Sequence, residues 1–294
     1  MGVGTKLKGV ILVTGAGGKT GRAVIQTLVE RGESVRALIH KPSQVDQAKA
    51  DGAFEIEVGD LLDPNSLEPI FAGMRAVYHI SPNVHPAESE IGRNAITAAS
   101  AAGLPHFVMH SVLHPHTQAM QHHWNKLLVE EQLINSNLGF TILQPASYMQ
   151  NIRGVWGSIL EGRYSVPYPT DARFSPVDLK DVAELAAEVL STPGHEGAIY
   201  ELAGPELLTP RQMAKRMSNV LGRPIEAVEI SRIQWRQDTE IESDSADMLL
   251  SMFDYYAAHG FWGNPRVLAG LLGREPTTFA QYLERLIQES VKDG

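Results

Sequence analysis

The chain of 294 residues contains no cysteine. This absence excludes disulfide bonds, a thiolate nucleophile and a zinc site with cysteine ligands, and it fits a reducing cytoplasm, where we expect the protein to work. Long apolar runs are also absent, since none reaches the ~18–20 residues that a membrane-spanning helix requires. Residues 1–15 carry lysines, but their short apolar stretch runs directly into a glycine loop. We therefore expect no signal peptide.

Positive charge is scarce as well. The net charge is −9 and the pI is near 5.7, and no block of lysine and arginine is present. Direct binding to nucleic acid is therefore not expected. Hydrophobic residues make up 43% of the chain and charged residues 20%, which suits a soluble core in one large domain or two smaller ones. We expect a small-molecule substrate, and a homodimer stays open.

The first 150 residues alternate between strand and helix patterns. A helix pattern ends at Gly32, and a short helix near NSLEPIFAG has Asn65 as its expected cap. This alternation predicts parallel βαβ units in an α/β, Rossmann-like, doubly wound sheet. The predicted strands are residues 10–15, 34–40, 54–60, 76–82, 106–111 and 140–146.

The composition changes after residue 150, where Gly, Pro and Tyr become frequent. A helix capped by Asp178 and a strand at 198–205 are expected to return to the sheet. We therefore predict a dinucleotide-binding domain of residues 1–150, to which residues 178–205 return. Residues 151–177 and 206–294 form a smaller substrate-binding lobe in this interpretation.

A glycine-rich segment, TGAGGKTG, lies between the first strand and the first helix. Gly15, Gly18 and Gly21 give the spacing G-x-x-G-x-x-G, and Gly17 permits other alignments. The first glycine suits a tight turn, the second the approach of a phosphate to the backbone, and the third close packing of helix on strand. The position after a first strand favours a dinucleotide site over an ordinary βα turn.

The end of the second strand indicates the cofactor. It reads His40-Lys41 and has no carboxylate until Asp46, whereas NAD enzymes use an acidic residue there to hold the ribose hydroxyls. This pattern favours NADP over NAD, although a solvated loop would give the same residues. Asp60, after the third strand, is placed to meet the adenine, and a turn-forming aspartate would look identical.

Taken together, the motifs TGAGGKTG, VRALIHKPSQ, VGDLLDPNSL, HFVMHSVLHPH, TILQPASYMQNI, SPVDLKDVAE and LLGREPTTF resemble the NmrA-like branch of the atypical short-chain dehydrogenase/reductase family. The resemblance covers nearly the whole chain. It implies a nicotinamide cofactor and either of two functions. Some members are NAD(P)H-dependent quinone or triphenylmethane reductases, and others bind the dinucleotide without turnover and report redox state to a transcription factor.

Two positions depart from related sequences. His40 stands where many relatives have arginine, which weakens the expected NADP preference because histidine is mostly neutral at pH 7. The helix after the fifth strand carries His122-x-x-x-Lys126 where related dehydrogenases carry Tyr-x-x-x-Lys. By the resemblance, Lys126 holds the nicotinamide ribose and places a positive charge beside the reacting group. A solvated helix lysine is its alternative.

Four other residues are candidates for the reaction itself. His122 shares a helical face with Lys126, and His123 is almost as well placed. The neighbouring ammonium favours a neutral imidazole, so His122 would orient a substrate oxygen or donate through water, and plain surface structure is an equal alternative. Ser111 would hydrogen-bond the substrate or cap its strand, and Tyr148 is a spare phenol. The further cofactor contacts that we expect are Lys19, Thr20, Leu61, Ser81 and Pro145.

A histidine cluster calls for a metal test: His106, His110, His114, His116, His122 and His123 lie close together in sequence. They form no helical i, i+4 pair of the zinc type, and no cysteine assists them, so we predict no metal site.

The sequence as a whole favours an NADPH-dependent reductase of a small, mostly apolar carbonyl, enone or quinone. Eight late aromatic residues, Trp156, Tyr164, Tyr168, Phe253, Tyr255, Tyr256, Phe261 and Trp262, suit an apolar pocket or a core. The alternative is a non-catalytic NAD(P) sensor that regulates a protein partner.

Overall fold

The computed structural model of the chain describes residues 9–292. Residues 1–8, on which part of the signal-peptide expectation rests, lie outside the described residues, as do residues 293–294. Within the described range, no helix combines the length and apolar character needed to cross a bilayer.

The core of the fold is a seven-stranded sheet. Its strands are β1 (Val10–Val13), β2 (Ser34–Ile39), β3 (Glu55–Val58), β4 (Met74–His79), β5 (His106–His110), β6 (Gly139–Pro145) and β8 (Ala198–Leu202). Their spatial order is β3-β2-β1-β4-β5-β6-β8, and every pair from β3 to β6 runs parallel. The strand order reverses between β1 and β4, which is where doubly wound sheets open a crevice for ligands. The doubly wound fold predicted from the alternating pattern is confirmed.

Helices connect the strands throughout. Those before residue 192 are α1 (Lys19–Glu30), α2 (Val45–Ala50), α3 (Pro64–Phe71), α4 (Glu88–Ala101), α5 (Gln121–Ile134), α6 (Trp156–Leu160) and α7 (Leu179–Ser191). The later ones are α8 (Pro210–Leu221), α9 (Arg232–Asp238), α10 (Ser243–His259), α11 (Arg266–Leu272) and α12 (Phe279–Lys292). The remaining strands, β7 (Arg163–Val166) and β9 (Glu226–Glu229), form a second, two-stranded parallel sheet.

Several predicted boundaries differ from the structure. The cap of α3 is Asp63, whose carboxylate accepts the Asn65 backbone N–H, so the expectation that Asn65 is the cap was wrong. Strand β4 ends at His79 rather than at residue 82, because the Thr14 hydroxyl binds the backbone of Ile80 and ends the ladder there. Gly32, with φ of 73°, ends α1 as predicted.

One face of the large sheet packs against α3, α4 and α5. Leu12, Val77 and Phe107 on the strands meet Ile91 of α4 and Val129 of α5 in a continuous apolar cluster. Burying such side chains provides the main driving force for forming the layer. This packing also holds α4 and α5 against the sheet, and the polar residues of the candidate site lie near the carboxyl ends of its strands.

The chain divides into two compact units. The first contains the described residues up to Thr117, together with His122–Gln144 and Val182–Tyr200. The second contains Gln118–Gln121, Pro145–Asp181 and the described residues from Glu201 onward. The predicted assignment of the later lobe to substrate binding stays a prediction.

Aromatic rings form the centre of the second unit. Tyr168 packs against Phe174, Phe253 and Tyr256, and Tyr256 stacks on Phe261 with ring centroids 5.1 Å apart. Four of the eight late aromatic residues singled out in the sequence are buried and belong to the core of this unit: Tyr164, Phe253, Tyr256 and Phe261. Trp156, Tyr168 and Tyr255 are partly buried, and Trp262 is 49% exposed.

Candidate active site

The glycine-rich turn joins β1 to α1 at the switch point of the sheet. Gly15 has φ of +61°, a left-handed conformation that glycine adopts without steric cost, and its carbonyl accepts the N–H of Gly18 at 3.0 Å. At Gly21, a Cβ atom would lie 2.5 Å from the Gly15 carbonyl oxygen, so only glycine permits the helix to pack this closely. Gly18 is the N-cap of α1 and supplies no side-chain cap. The helix N-terminus is thus suited to bind a phosphate through its backbone N–H groups.

The loop after β2 folds onto this turn through Gln44. The Gln44 amide oxygen accepts the backbone N–H of His40 at 3.2 Å and of Lys41 at 3.0 Å. Its amide nitrogen occupies the space beside Gly17, where a Cβ would lie only 2.1 Å away. Gln44 thereby connects the two cofactor-binding segments predicted from the sequence, while the side chains of His40 and Lys41 remain exposed.

The ends of β1 and β4 are joined by hydrogen bonds. The Thr14 hydroxyl lies 3.1 Å from Nδ1 of His79, and the Ser81 hydroxyl lies 3.4 Å from Nε2 of the same ring. Asp60 forms the turn after β3, since its carboxylate accepts the Leu62 N–H at 2.9 Å. The turn-forming alternative for Asp60 is thus observed, and its contact with adenine stays a prediction.

Helix α5 turns a polar face toward the protein interior. His122 and His123 are 7% and 0% exposed, and Glu130 is 3% exposed, whereas Ile134 at the end of the same helix is 45% exposed. The alternative of polar residues on a wet surface therefore does not apply to His122. Its buried polar face lies against the carboxyl ends of β4, β5 and β6.

Lys126 on this helix forms a buried ion pair. Its Nζ contacts Oε1 of Glu88, the first residue of α4, with 14% of the Lys126 side chain exposed and none of the Glu88 side chain. The other Glu88 oxygen, Oε2, is buried and has no hydrogen-bond partner within the described residues. The solvated-lysine alternative for Lys126 is excluded by this burial.

A second buried carboxylate lies one helical turn further on. Glu130 accepts hydrogen bonds from the hydroxyl of Ser111 and from Nε2 of Gln144, the latter at 2.9 and 3.0 Å. Burial raises the pKa of Glu130, and the hydrogen bonds from Ser111 and Gln144 oppose that shift. The only hydrogen of the Ser111 hydroxyl points to Glu130, so Ser111 is fixed rather than free to rotate.

Four buried histidines experience the charge of Lys126. Burial, and secondarily the Lys126 charge, lowers the pKa values of His79, His110 and His122 to about 3. Burial lowers the pKa of His123 well below its ordinary value, with His122 contributing. All four imidazoles are therefore neutral at pH 7, and Lys126 carries the positive charge among them.

The other predicted residues occupy separate places. Lys19 and Thr20 begin α1, and Leu61 is buried with its carbonyl accepting from Asn94 at 3.0 Å. Pro145 ends β6, and Tyr148 is the N-cap of a short 3-10 helix at Met149–Val155; both belong to the second unit. The histidine-rich segment is dispersed, with His106 bonded to Thr141 and His110 to Tyr78. Among residues 9–292, no three His, Asp or Glu side chains form a group that could hold a metal.

Four residues of the site were missed from the sequence: His79, Glu88, Glu130 and Gln144. Glu130 could have been found, since it lies four residues after Lys126 and eight after His122 on one helical face. Gln144 lies near the carboxyl end of its predicted strand, as site residues of parallel sheets do. His79 lies in the middle of the predicted strand 76–82 and is the last residue only of the observed strand β4. Glu88 gives no such signal, because only the packing of α4 on α5 brings it to Lys126.

Comparison with known proteins agrees with this architecture. The model of the NmrA-like family matches residues 7–283. An NAD(P)H azoreductase of Xenophilus azovorans is 30% identical over 286 residues, covering 93% of this chain and 96% of that protein. Quinone oxidoreductase 2 of Escherichia coli is 26% identical, covering 94% and 98%.

Solved structures show the same fold. The structure of the E. coli quinone oxidoreductase with NADPH has a TM-score of 0.83 and 26% identity, covering 94% of this chain and 99% of that one. The Citrobacter sp. triphenylmethane reductase, complexed with NADP(H), has a TM-score of 0.82 with the same coverage. Its 22% identity supports likeness of fold alone. The same holds for Nmra, a negative transcriptional regulator solved with NAD, at 17% identity and a TM-score of 0.78.

Proposed function

The chain belongs to the NmrA-like family, and on that premise we propose that it is an NADPH-dependent oxidoreductase. It reduces a small, mostly apolar carbonyl, enone or quinone-type acceptor. The observation that carries this proposal is the buried Lys126–Glu88 pair at the carboxyl edge of a sheet whose first turn is built for a dinucleotide phosphate. The similar azoreductase and quinone oxidoreductase bear out the expectation of an NAD(P)H-dependent reductase.

The residues of the first unit fit a bound NADPH. Gly15 and Gly21 shape the turn so that the N-terminus of α1 is available to the pyrophosphate. His40 and Lys41 are exposed after β2, in a loop that Gln44 holds in place, and they would accept the 2′-phosphate. The NADPH in the structure of the E. coli quinone oxidoreductase bears out the expected cofactor, with NAD as the alternative.

Lys126 stabilises charge during the reaction. When bound, the reduced nicotinamide supplies a hydride, and an acceptor oxygen that receives the electron pair becomes negative. The ammonium of Lys126 is a fixed positive charge in a site from which water is largely excluded, so its stabilisation of the developing oxyanion is strong. The same ammonium donates hydrogen bonds to the nicotinamide ribose in this proposal.

A proton must also reach the acceptor, so that a quinone leaves as the hydroquinone and NADPH leaves as NADP⁺. His122 is neutral at pH 7, and its Nδ1 is buried without a hydrogen-bond partner within the described residues. A neutral imidazole relays a proton by accepting it on one nitrogen and releasing it from the other. His123 and Tyr148 are the alternative residues for this step. For Ser111 to orient the acceptor, its hydroxyl hydrogen must turn from Glu130 to the acceptor oxygen.

The later lobe, residues 151–177 and 206–294, is proposed to bind the acceptor. Trp262, half-exposed in the second unit, supports this assignment as a surface for an apolar ligand. We further propose that the protein acts in the cytoplasm without direct contact to nucleic acid, in line with its missing cysteines and negative net charge. A homodimer would be detected by light scattering on the purified chain.

Steady-state oxidation of NADPH tests the proposal directly. The purified protein is assayed at 340 nm with a quinone, an enone, an aldehyde and an azo compound, beside a Lys126→Ala control. Turnover of at least one acceptor that is lost in the control supports the reductase. Tight NADPH binding with no oxidation by any acceptor would contradict it and favour the sensor.

A further inference from the structure

We propose that Glu88 is the positioning residue of the site: its buried carboxylate holds the Lys126 ammonium in the place where it meets cofactor and acceptor. This inference rests on the proposed function, because Lys126 is the charged group of the proposed reaction. Nothing in the sequence pattern singled out Glu88. Its role follows from how α4 packs on α5.

The packing of these two helices fixes the ion pair. At Gly92 of α4, a Cβ atom would lie 2.4 Å from a methyl group of Val129 on α5, so the helices are in close contact there. On the same interface, Nε2 of Gln132 donates to the hydroxyl of Ser89 at 3.1 Å. Glu88 and Lys126 lie at the N-terminal end of this interface. The packing of the two helices therefore fixes the backbone positions from which the buried Glu88 and Lys126 side chains meet.

A contribution to folding stability does not explain why a carboxylate is buried at position 88. A carboxylate removed from water costs several kcal/mol, and a buried ion pair often contributes no more than an apolar pair of the same size. Glu88 additionally leaves Oε2 without a hydrogen-bond partner within the described residues, which adds an uncompensated desolvation cost. An arrangement of this cost is expected where a charge has a function, as at active sites.

Glu88 is also the anion that contacts Lys126. The imidazoles facing the ammonium, His79 from β4, His110 from β5, and His122 and His123 from α5, are all neutral at pH 7. Helix α5 carries two carboxylates: the buried Glu130 accepts hydrogen bonds from Ser111 and Gln144, and Glu131 is exposed. Removing the charge of Glu88 therefore leaves the Lys126 ammonium buried without a contacting anion from the described part of the chain.

Three variants test the proposal. Glu88→Gln keeps the shape and removes the charge, and Glu88→Asp keeps the charge on a shorter side chain. Ser89→Ala is the matched control, since it alters the same helix interface one residue away and does not touch Lys126. For each protein, the thermal midpoint, the NADPH dissociation constant, kcat, the acceptor KM and the pH profile of kcat/KM are measured.

We expect Glu88→Gln to lower kcat by up to about 10²-fold, the size of effect that a misplacement of ~1 Å produces. Its NADPH affinity should fall about threefold to tenfold, a loss of roughly 1 kcal/mol in the contact to the ribose. The alkaline limb of the pH profile should move to lower pH, because an uncompensated buried ammonium loses its proton more readily. Glu88→Asp should return that limb to the wild-type position and recover part of kcat, and Ser89→Ala should match the wild type.

A purely structural Glu88 would give a different result: a lower thermal midpoint with unchanged kcat and pH profile in Glu88→Gln. That result would overturn the proposal. If Glu88→Gln does not fold, Glu88→Asp decides alone, since a lowered kcat at a near-wild-type midpoint supports positioning and a wild-type kcat contradicts it. If the wild-type chain turns over no acceptor, the proposed function fails, and the NADPH affinities of Glu88→Gln and Ser89→Ala still decide the role of Glu88.

Discussion

Gly17 leaves the room that the side chain of Gln44 occupies, so Gly17→Ala is a sharp perturbation of the cofactor site. The new methyl group would lie 2.1 Å from the Gln44 amide nitrogen, well inside contact distance. Because Gln44 is a flexible side chain, it can move away, and the free energy of unfolding should change little. When Gln44 moves, its amide oxygen loses the backbone N–H groups of His40 and Lys41.

The magnitude follows from those two hydrogen bonds. Each contributes about 0.5–1.5 kcal/mol, and bonds at an exposed loop lie at the lower end of that range. Without these two bonds, the loop that holds His40 and Lys41 must be ordered when the cofactor binds, at a cost of about 1–2 kcal/mol in binding free energy. At 1.4 kcal/mol per factor of ten, NADPH affinity should fall about 5- to 30-fold. NADH affinity should fall less, because NADH lacks the 2′-phosphate that this loop is proposed to bind.

A double-mutant cycle tests this explanation. The NADPH affinities of Gly17→Ala, Gln44→Ala and the double variant are measured by fluorescence titration. If the methyl group acts by displacing Gln44, Gly17→Ala should cost little more once Gln44 is alanine, so the two effects are strongly non-additive. Ser43→Ala, an exposed neighbour in the same turn, is the matched control and should bind NADPH like the wild type. Additive losses would refute the reasoning and indicate that the methyl group at Gly17 obstructs the cofactor directly.

Single substitutions test the remaining site roles. Lys41→Ala should narrow the preference for NADPH over NADH in the same titration, and equal affinities already in the wild-type protein would contradict a 2′-phosphate contact. Lys126→Ala should weaken cofactor binding and nearly abolish turnover, whereas His122→Ala should keep cofactor affinity and lower turnover by about 10²–10⁴-fold, the usual effect of losing a proton-transferring group. Normal turnover in His122→Ala would move that step to another residue. Stability should fall as the pH drops below 6.5, because unfolded histidines take up protons while His79, His110 and His122, whose pKa values burial lowers to about 3, do not. Each of these histidines should lower the free energy of unfolding by up to about 1.4 kcal/mol per pH unit between pH 6.5 and about 3. Urea unfolding at pH 7.5 and 5.5 measures this loss, which should be smaller in His122→Asn than in the wild type.

The sequence by itself determined the order of strands and helices. Short apolar runs followed by glycine turns and amphipathic helices have a local physical cause, since periodicity of burial and turn chemistry act over a few residues. For the same reason the glycine turn and the pair His40-Lys41 could be placed correctly relative to β1 and β2. The ends of elements were less accurate, as at Asn65 and at the end of β4, because the Asp63 cap and the Thr14–Ile80 bond compete with local propensity.

The tertiary structure decided which polar residues are buried together. Helix α5 could be predicted as a helix, but its buried face carries His122, His123 and Glu130 while Ile134 is exposed. Hydrophobic periodicity would not have placed these polar residues inside, because it assumes that the buried face is apolar, as it is at Val129 and Leu133 of the same helix. Glu88 reaches Lys126 only through the close contact between α4 and α5, across 38 residues of sequence. A pairing over that distance has no local pattern, because the forces that create it are the packing of the two helices and the cost of leaving a buried charge alone.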